Sequence, residues 1–170
     1  MLNSEELITK VKSYNKFLNP EKLNKAYIFA VKAHKNQKRD SGDPYSNHPI
    51  AVASILSELK LDSATITTGL LHDTIEDTHT TYETIKNEFG QEVADLVDGV
   101  TKISVLESQA TSTSKAENFR KLILATSKDI RVLLVKIADR LHNMRTIDAI
   151  SKIEKKERIA KETMEIYAPL

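Results

Sequence analysis

The stretch that decides the fold is Leu70-Leu71-His72-Asp73-Thr74-Ile75-Glu76-Asp77-Thr78. His72 and Asp73 offer a nitrogen ligand and an oxygen ligand side by side, and Glu76 and Asp77 follow about one helical turn later on the same side. The apolar residues before the pair indicate that it lies against a core. The pattern predicts a metal site with two acid/base carboxylates or, alternatively, an ordinary helix end that carries one histidine and three acids.

A second polar stripe comes at the end of a long helical pattern. The apolar face of that pattern contains Ile130, Leu133, Leu134, Ile137, Leu141 and Met144. Asp139, Asn143 and Thr146 are spaced i, i+4 and i+7, so they share one polar face of the helix. An acid, an amide and a hydroxyl in line suit a phosphate or metal site, although a solvent-exposed stripe would have the same spacing.

A turn in the chain precedes a further candidate ligand, His48. Ser41-Gly42-Asp43-Pro44 is typical of a turn, and Pro49 fits the first position of a helix with His48 as its cap. Arg39 and Ser41 lie beside this histidine in the chain. The lysines that lead into the turn form either a solvated helix face or a surface that attracts a small polyanion.

Composition limits the class of protein. The chain has 170 residues with a net charge of +1, which fits one domain and excludes a strongly basic surface for nucleic acid. No apolar run is long enough to span a bilayer, and the first residues lack the features of a signal peptide. The chain contains no cysteine, so any metal must bind through His, Asp and Glu. We expect a cytoplasmic protein with no nucleic-acid or membrane partner; no pattern specifies an oligomeric state.

Helical periodicity extends over nearly the whole chain, and no segment alternates long enough to form a strand. Within this all-α pattern, His34 lies on an apolar stripe, which favours a buried structural histidine over a metal ligand. Residues 107–114 are rich in serine and threonine and predict a mobile loop. One helix is expected after Asn19-Pro20, and another from a cap at Thr80 or Thr81 to Phe89, with Gly90 as its C-cap. The other expected helices span 63–71, 91–100, 116–126, 129–149 and 152–167.

A folded helical bundle would bring together His48, His72, Asp73 and Asp139, which are far apart in the chain. Two imidazoles and two carboxylates without sulfur suit Mn²⁺, Fe²⁺ or Zn²⁺. Such an ion polarises a phosphoryl oxygen and lowers the pKa of water. Glu76 or Asp77 would then orient or deprotonate that water.

Together these motifs resemble the hydrolase domain of the RelA/SpoT family, whose members make and degrade the alarmone (p)ppGpp. The similarity runs from Asn19 to Leu170 and includes Gly99-Val100-Thr101-Lys102 and the segment from Ala116 to Lys121. The resemblance implies an all-α HD-superfamily helical bundle and a Mn²⁺-dependent 3′-pyrophosphohydrolase that gives GDP or GTP and pyrophosphate. It also implies one hydrolase domain over residues 1–170, without a synthetase or C-terminal regulatory domain, and therefore no synthesis of ppGpp.

The resemblance assigns roles residue by residue. Mn²⁺ ligands are implied at His48, His72, Asp73 and Asp139. The catalytic acid pair is implied at Glu76 and Asp77, and the nucleotide contacts at Arg39, Ser41, Asn143 and Thr146. Asp40 departs from the family pattern, in which many members have Lys or Ser, and would weaken phosphate binding. Asp43 replaces the commoner Glu.

Two alternatives to (p)ppGpp hydrolysis follow from the same motifs. One is an HD phosphohydrolase that acts on another nucleotide, and the other is a catalytically silent domain that binds the alarmone. The complete ligand set argues against the silent domain. The segment from Arg39 to His48 argues against a general HD phosphatase, which needs only the HD core.

Overall fold

A computed structural model describes residues 1–109, 116–126 and 128–170 of the chain. All regular secondary structure in these residues is helical, apart from one isolated β-bridge between Lys38 and Pro44. This confirms the all-α prediction. The α-helices are α1 (Ser4–Lys12), α2 (Pro20–Ala33), α3 (Asn47–Glu58), α4 (Ser63–Leu71), α5 (Thr74–Asp77), α6 (Tyr82–Phe89), α7 (Gln91–Gln109), α8 (Ala116–Thr126), α9 (Ile130–Arg145) and α10 (Ile153–Glu162).

Local sequence signals set several helix ends. The Asn19 side chain accepts hydrogen bonds from two backbone N–H groups at the start of α2, where Pro20 occupies the first position. Thr81 caps α6 in the same way, and Gly90 ends that helix with a φ of 93°, which favours glycine. Asp129 caps α9. The predicted caps at Asn19 and Gly90 are confirmed, and of the two candidates Thr80 and Thr81 it is Thr81 that caps α6, because capping depends on residues close in the chain. α9 begins one residue later than the predicted start at Asp129.

Three predicted boundaries are wrong. His48 is not the cap of α3, because the helix begins at Asn47 and places His48 in its first turn. α7 does not stop at Val100 but continues to Gln109, since its buried apolar spacing continues through Ile103. The first residues of the predicted loop 107–114 therefore belong to α7, and its residues 110–114 lie outside the described residues. α9 ends at Arg145, followed by a 3₁₀ turn at Ile147–Ala149.

The centre of the fold is α4, which packs against α2, α3, α7 and α9. Every residue of α4 from Thr65 to Leu71 is buried. α3 and α4 lie especially close at Gly69, where an added Cβ would be 2.7 Å from Leu56 Cδ1 and 3.3 Å from Ala53 Cα. Because α3 carries His48 and α4 leads into His72, this close packing positions both histidines. No helix in the described ranges is long and apolar enough to cross a membrane.

We expect Gly69→Ala to lower the free energy of unfolding by about 1–3 kcal/mol, because the extra methyl group overpacks the α3–α4 contact. Urea denaturation measures this loss. In a Leu56→Ala background the further loss from Gly69→Ala should be smaller, since the nearest atom is gone. Equal losses in both backgrounds would contradict the explanation by close packing.

Candidate metal and active site

Four elements bring the predicted ligands together. His48 lies in the first turn of α3, His72 at the end of α4, Asp73 just before α5, and Asp139 in α9. His48 Nε2 is 2.7 Å from Asp139 Oδ1 and 3.6 Å from Asp73 Oδ2. His72 Nε2 is 3.1 Å from Asp73 Oδ2 and 3.5 Å from Asp139 Oδ1. His48, His72 and Asp139 therefore converge, and Asp73 approaches the two histidines with its Oδ2 atom.

The two histidines present their Nε2 atoms to that point. His72 Nδ1 lies 2.7 Å from the Gly69 carbonyl oxygen, which accepts its N–H and leaves the lone pair on Nε2. That Nε2 is buried and has no hydrogen-bond partner among the described residues. Ligand atoms of His48, His72 and Asp139 all lie within 4.8 Å of one another. An unpartnered imidazole nitrogen beside carboxylate oxygens fits a divalent cation.

A buried lysine holds the second oxygen of Asp139. Lys136 Nζ lies 3.1 Å from Asp139 Oδ2, 3.1 Å from Ser104 Oγ and 3.0 Å from Glu107 Oε2. Burial alone would raise the pKa of Asp139, but the positive charge of Lys136 is the largest of the effects that hold that pKa well below its ordinary value. Asp139 is therefore ionised, with Oδ1 turned toward the histidines and Oδ2 held by the lysine.

Tyr45 links the ligand carboxylate Asp73 to the acid pair. The Tyr45 hydroxyl lies 2.8 Å from Asp73 Oδ2 and 3.3 Å from Asp77 Oδ2. Glu76 and Asp77 remain accessible to solvent, yet partial desolvation and the neighbouring carboxylates raise the pKa of both groups above their ordinary values. A raised pKa strengthens a carboxylate as a proton acceptor, which suits general-base chemistry.

Three of the four residues predicted to contact a nucleotide are in contact with one another. Arg39 Nη2 lies 3.2 Å from Asn143 Oδ1 and 3.2 Å from Thr146 Oγ1. Asn143 Nδ2 in turn lies 3.4 Å from Asp139 Oδ1. The Ser41 hydroxyl is 2.9 Å from Asp43 Oδ2 and makes no contact with the other three in the described chain, although it lines the same cavity as Arg39 and Thr146.

Two cavities flank this group of residues. The larger, of about 760 Å³, is lined by Arg39, Ser41, His142 and Thr146, among others. The smaller, of about 340 Å³, is lined by the acid pair, by Lys136 and by the ligands His48, Asp73 and Asp139. Asn143 belongs to the smaller cavity and contacts Arg39 of the larger one, so the two cavities share a wall.

No sequence pattern assigns a role to Tyr45, Lys136 or His142. Lys136 and His142 each lie three residues from Asp139, so helical spacing places them near its face, but the same spacing also fits an ordinary helix surface. His142 Nδ1 lies 2.7 Å from His48 Nδ1. Burial, His48 and Arg39 lower the pKa of His142 to about 4.

Two other sequence expectations concern His34 and Asp40. His34 is buried, as expected, and its Nδ1 is 2.9 Å from Gln37 Oε1. Its ring packs against Tyr45, with the centroids 4.8 Å apart, and it is not one of the three residues whose ligand atoms converge. Asp40 lies 2.7 Å from Lys155 Nζ, a partner that the sequence did not indicate. This lysine balances the charge of Asp40 at the edge of the larger cavity. The predicted weakening of phosphate binding by Asp40 stays a prediction.

The family model of the HD domain matches residues 26–170, which include every candidate ligand described above. The chain belongs to the HD domain family. A solved structure of a metazoan ortholog of SpoT shares the fold of this HD domain, with a TM-score of 0.68 over 86% of the chain and 84% of the ortholog at 24% identity. The prediction of an all-α HD-superfamily bundle is therefore confirmed.

Curated relatives confirm the resemblance to the RelA/SpoT family. This HD domain is 52% identical over its whole length to GTP pyrophosphokinase rsh of Brucella melitensis and covers 22% of that protein. It is 58% identical over 151 residues to GTP pyrophosphokinase of Myxococcus xanthus, with 87% of this chain and 20% of the relative covered. It is 51% identical over 150 residues to bifunctional (p)ppGpp synthase/hydrolase SpoT of Escherichia coli, with 88% and 21% covered. The chain thus spans about a fifth of the length of these relatives.

Proposed function

We propose that this HD domain hydrolyses the 3′-pyrophosphate of (p)ppGpp with the help of Mn²⁺, giving GDP or GTP and pyrophosphate. The observation that carries the proposal is the continuous set of contacts from Arg39 through Asn143 to Asp139. This set joins a cavity large enough for a nucleoside to a smaller, polar cavity beside the candidate ligands. The names of the relatives, which include a guanosine-3′,5′-bis(diphosphate) 3′-pyrophosphohydrolase, support the same substrate.

The proposed roles follow from this arrangement. His48, His72, Asp73 and Asp139 would hold the ion, which supplies polarisation of a phosphoryl oxygen and activation of water when bound. Glu76 or Asp77 takes a proton from the attacking water, whose oxygen bonds to the phosphorus attached to the ribose 3′-oxygen. The bond from that phosphorus to the 3′-oxygen breaks, and the same acid returns a proton to the leaving oxygen.

Pyrophosphate release from ppGpp tests this proposal. We expect GDP and pyrophosphate in the presence of Mn²⁺, loss of turnover after exhaustive chelation, and recovery when Mn²⁺ is added back. A panel of guanosine and adenosine nucleotides should be hydrolysed much more slowly. Faster hydrolysis of another nucleotide would favour a different HD phosphohydrolase, and tight ppGpp binding without turnover would favour a silent binding domain. Full activity after chelation would contradict the metal-dependent mechanism.

Arg39→Ala should raise the KM for ppGpp about 10-fold or more with a smaller change in kcat, because Arg39 is assigned to ground-state nucleotide binding. Arg39→Lys should recover little, since the planar guanidinium lies over the Tyr45 ring, 5.9 Å from its centre, and an ammonium group does not reproduce this flat packing. Steady-state kinetics measure both variants.

The matched control is Lys35→Ala, which removes an exposed positive charge from the segment that leads to the same turn. Its KM should stay near that of the parent protein at moderate salt, because exposed charges are screened. Equal effects of Lys35→Ala and Arg39→Ala would indicate general electrostatic attraction and would remove Arg39 from the binding site.

A further inference from the structure

His142 joins the candidate metal site to the larger cavity. It lies on α9, and its Nδ1 is 2.7 Å from His48 Nδ1, with the two ring centroids 5.0 Å apart. Two imidazole nitrogens at this distance form a hydrogen bond only if one carries a proton and the other offers a lone pair. The position of that proton therefore decides which tautomer each ring adopts.

Cation binding by His48 would decide which ring donates. His48 Nε2 faces the carboxylates of Asp139 and Asp73 at 2.7 and 3.6 Å, so it must keep its lone pair if it is to bind a cation there. A neutral His48 with a free Nε2 carries its proton on Nδ1. It then donates that proton to His142 Nδ1, and a neutral His142 must carry its own proton on Nε2.

The second nitrogen of His142 is left for the cavity. His142 lines the 760 Å³ cavity together with Arg39 and Thr146. In the described residues no hydrogen bond involves His142 Nε2, whereas its Nδ1 is committed to His48. The N–H that the tautomer places on Nε2 is therefore a free donor on a residue of the cavity wall.

We propose that His142 is a positioning residue that serves both sides of the site. Its Nδ1 holds His48 in the orientation and tautomer that present Nε2 to the metal ion, and its Nε2–H donates to an acceptor atom of the guanosine nucleotide. This inference rests on the proposed function, and it predicts that metal binding and nucleotide binding both depend on the His142 side chain.

Two amide substitutions separate the two contacts. In His142→Asn the side-chain oxygen replaces the Nδ1 acceptor but does not reach the position of Nε2. In His142→Gln the longer side chain places a donor near the position of Nε2 but withdraws the acceptor from His48. His142→Ala removes both contacts. His79, which is exposed, provides His79→Asn and His79→Gln as matched controls.

The first readout is the Kd for Mn²⁺, measured without nucleotide. The second readout is nucleotide binding at saturating Mn²⁺, measured as the KM for ppGpp and the Kd for GDP. We expect His142→Gln to weaken Mn²⁺ binding about 10- to 100-fold, the loss typical when the partner of a ligating histidine is removed. His142→Asn should keep Mn²⁺ affinity within about 3-fold and raise the KM and the GDP Kd about 10-fold. Both His79 variants should match the parent protein.

Equal effects of the Asn and Gln substitutions on both readouts would overturn the inference, because a general packing role does not distinguish the two ring nitrogens. Unchanged Mn²⁺ affinity in His142→Ala would also overturn it. Unfolding midpoints show whether each variant is folded. If the parent protein binds Mn²⁺ but neither binds GDP nor hydrolyses ppGpp, the proposed function and the nucleotide contact fail together, and the Mn²⁺ readout alone decides the link to His48.

Discussion

Glu76→Gln should lower the turnover of ppGpp about 100-fold or more while the Kd for Mn²⁺ stays near that of the parent protein. Glu76 lies in α5 and lines the smaller cavity, and its pKa is raised above the ordinary value. The amide keeps the size of the side chain but cannot accept a proton from water. Single-turnover kinetics at saturating ppGpp, combined with a Mn²⁺ titration, measure the two effects separately.

Two further variants define the origin of that loss. Asp139→Ala removes a candidate ligand, so it should reduce both Mn²⁺ binding and turnover. Glu83→Gln makes the same chemical change at an exposed position of α6 and should leave both quantities unchanged. If Glu76→Gln turned over like the parent protein with Mn²⁺ bound, Glu76 would not be the base, and Asp77→Asn would be the next variant to measure.

Arg140→Met should lower the free energy of unfolding by about 3–5 kcal/mol. Arg140 is only 5% exposed and contacts Glu107 of α7 and Glu162 of α10, the latter at 3.1 Å. Its guanidinium also lies 4.6 Å from the centre of the Tyr167 ring. Methionine would fill much of the volume but remove the buried cation that Glu107 and Glu162 share, so that each poorly solvated carboxylate keeps one positive partner, Lys136 or Arg158. Urea denaturation at neutral pH measures the loss.

The control uses the same acceptor. Arg158 Nη1 lies 3.2 Å from Glu162 Oε1, but the Arg158 side chain is 58% exposed. Arg158→Met should therefore lower the free energy of unfolding by only about 0–1 kcal/mol. A loss of similar size in both variants would show that burial does not set the strength of these pairs and would contradict the prediction for Arg140.

The buried charges around Glu107 show where sequence reasoning fails. Residues 107–114 predict a mobile loop from their serine and threonine content, yet Glu107 lies in the last turn of α7 with its carboxylate against Lys136 and Arg140. The composition of a segment indicates only how polar that segment is on average. It cannot predict that Glu107 contacts Lys136 and Arg140, because those contacts depend on how α7 and α9 pack.

The sequence by itself determined the features that depend on residues close together in the chain. Asn19-Pro20, Thr81, Gly90 and Asp129 mark helix ends through hydrogen bonds and backbone angles that involve neighbouring residues only. Helical spacing likewise placed Asp139, Asn143 and Thr146 along one side of α9, and the contacts of Asn143 with Asp139 and of Arg39 with Asn143 and Thr146 agree with that placement. The motifs were also enough to identify the family.

Only the tertiary structure decided which side chains meet. Periodicity defines the faces of one helix but not its neighbours, and the approach of α3 to α4 depends on the absence of a side chain at Gly69. That packing brings His48 and His72 to Asp139, and it also places His142 against His48 at 2.7 Å. The position of His142, three residues after Asp139, is not a distinctive pattern in the chain. Its contact with His48, 94 positions away, depends on the packing of α3 against α9.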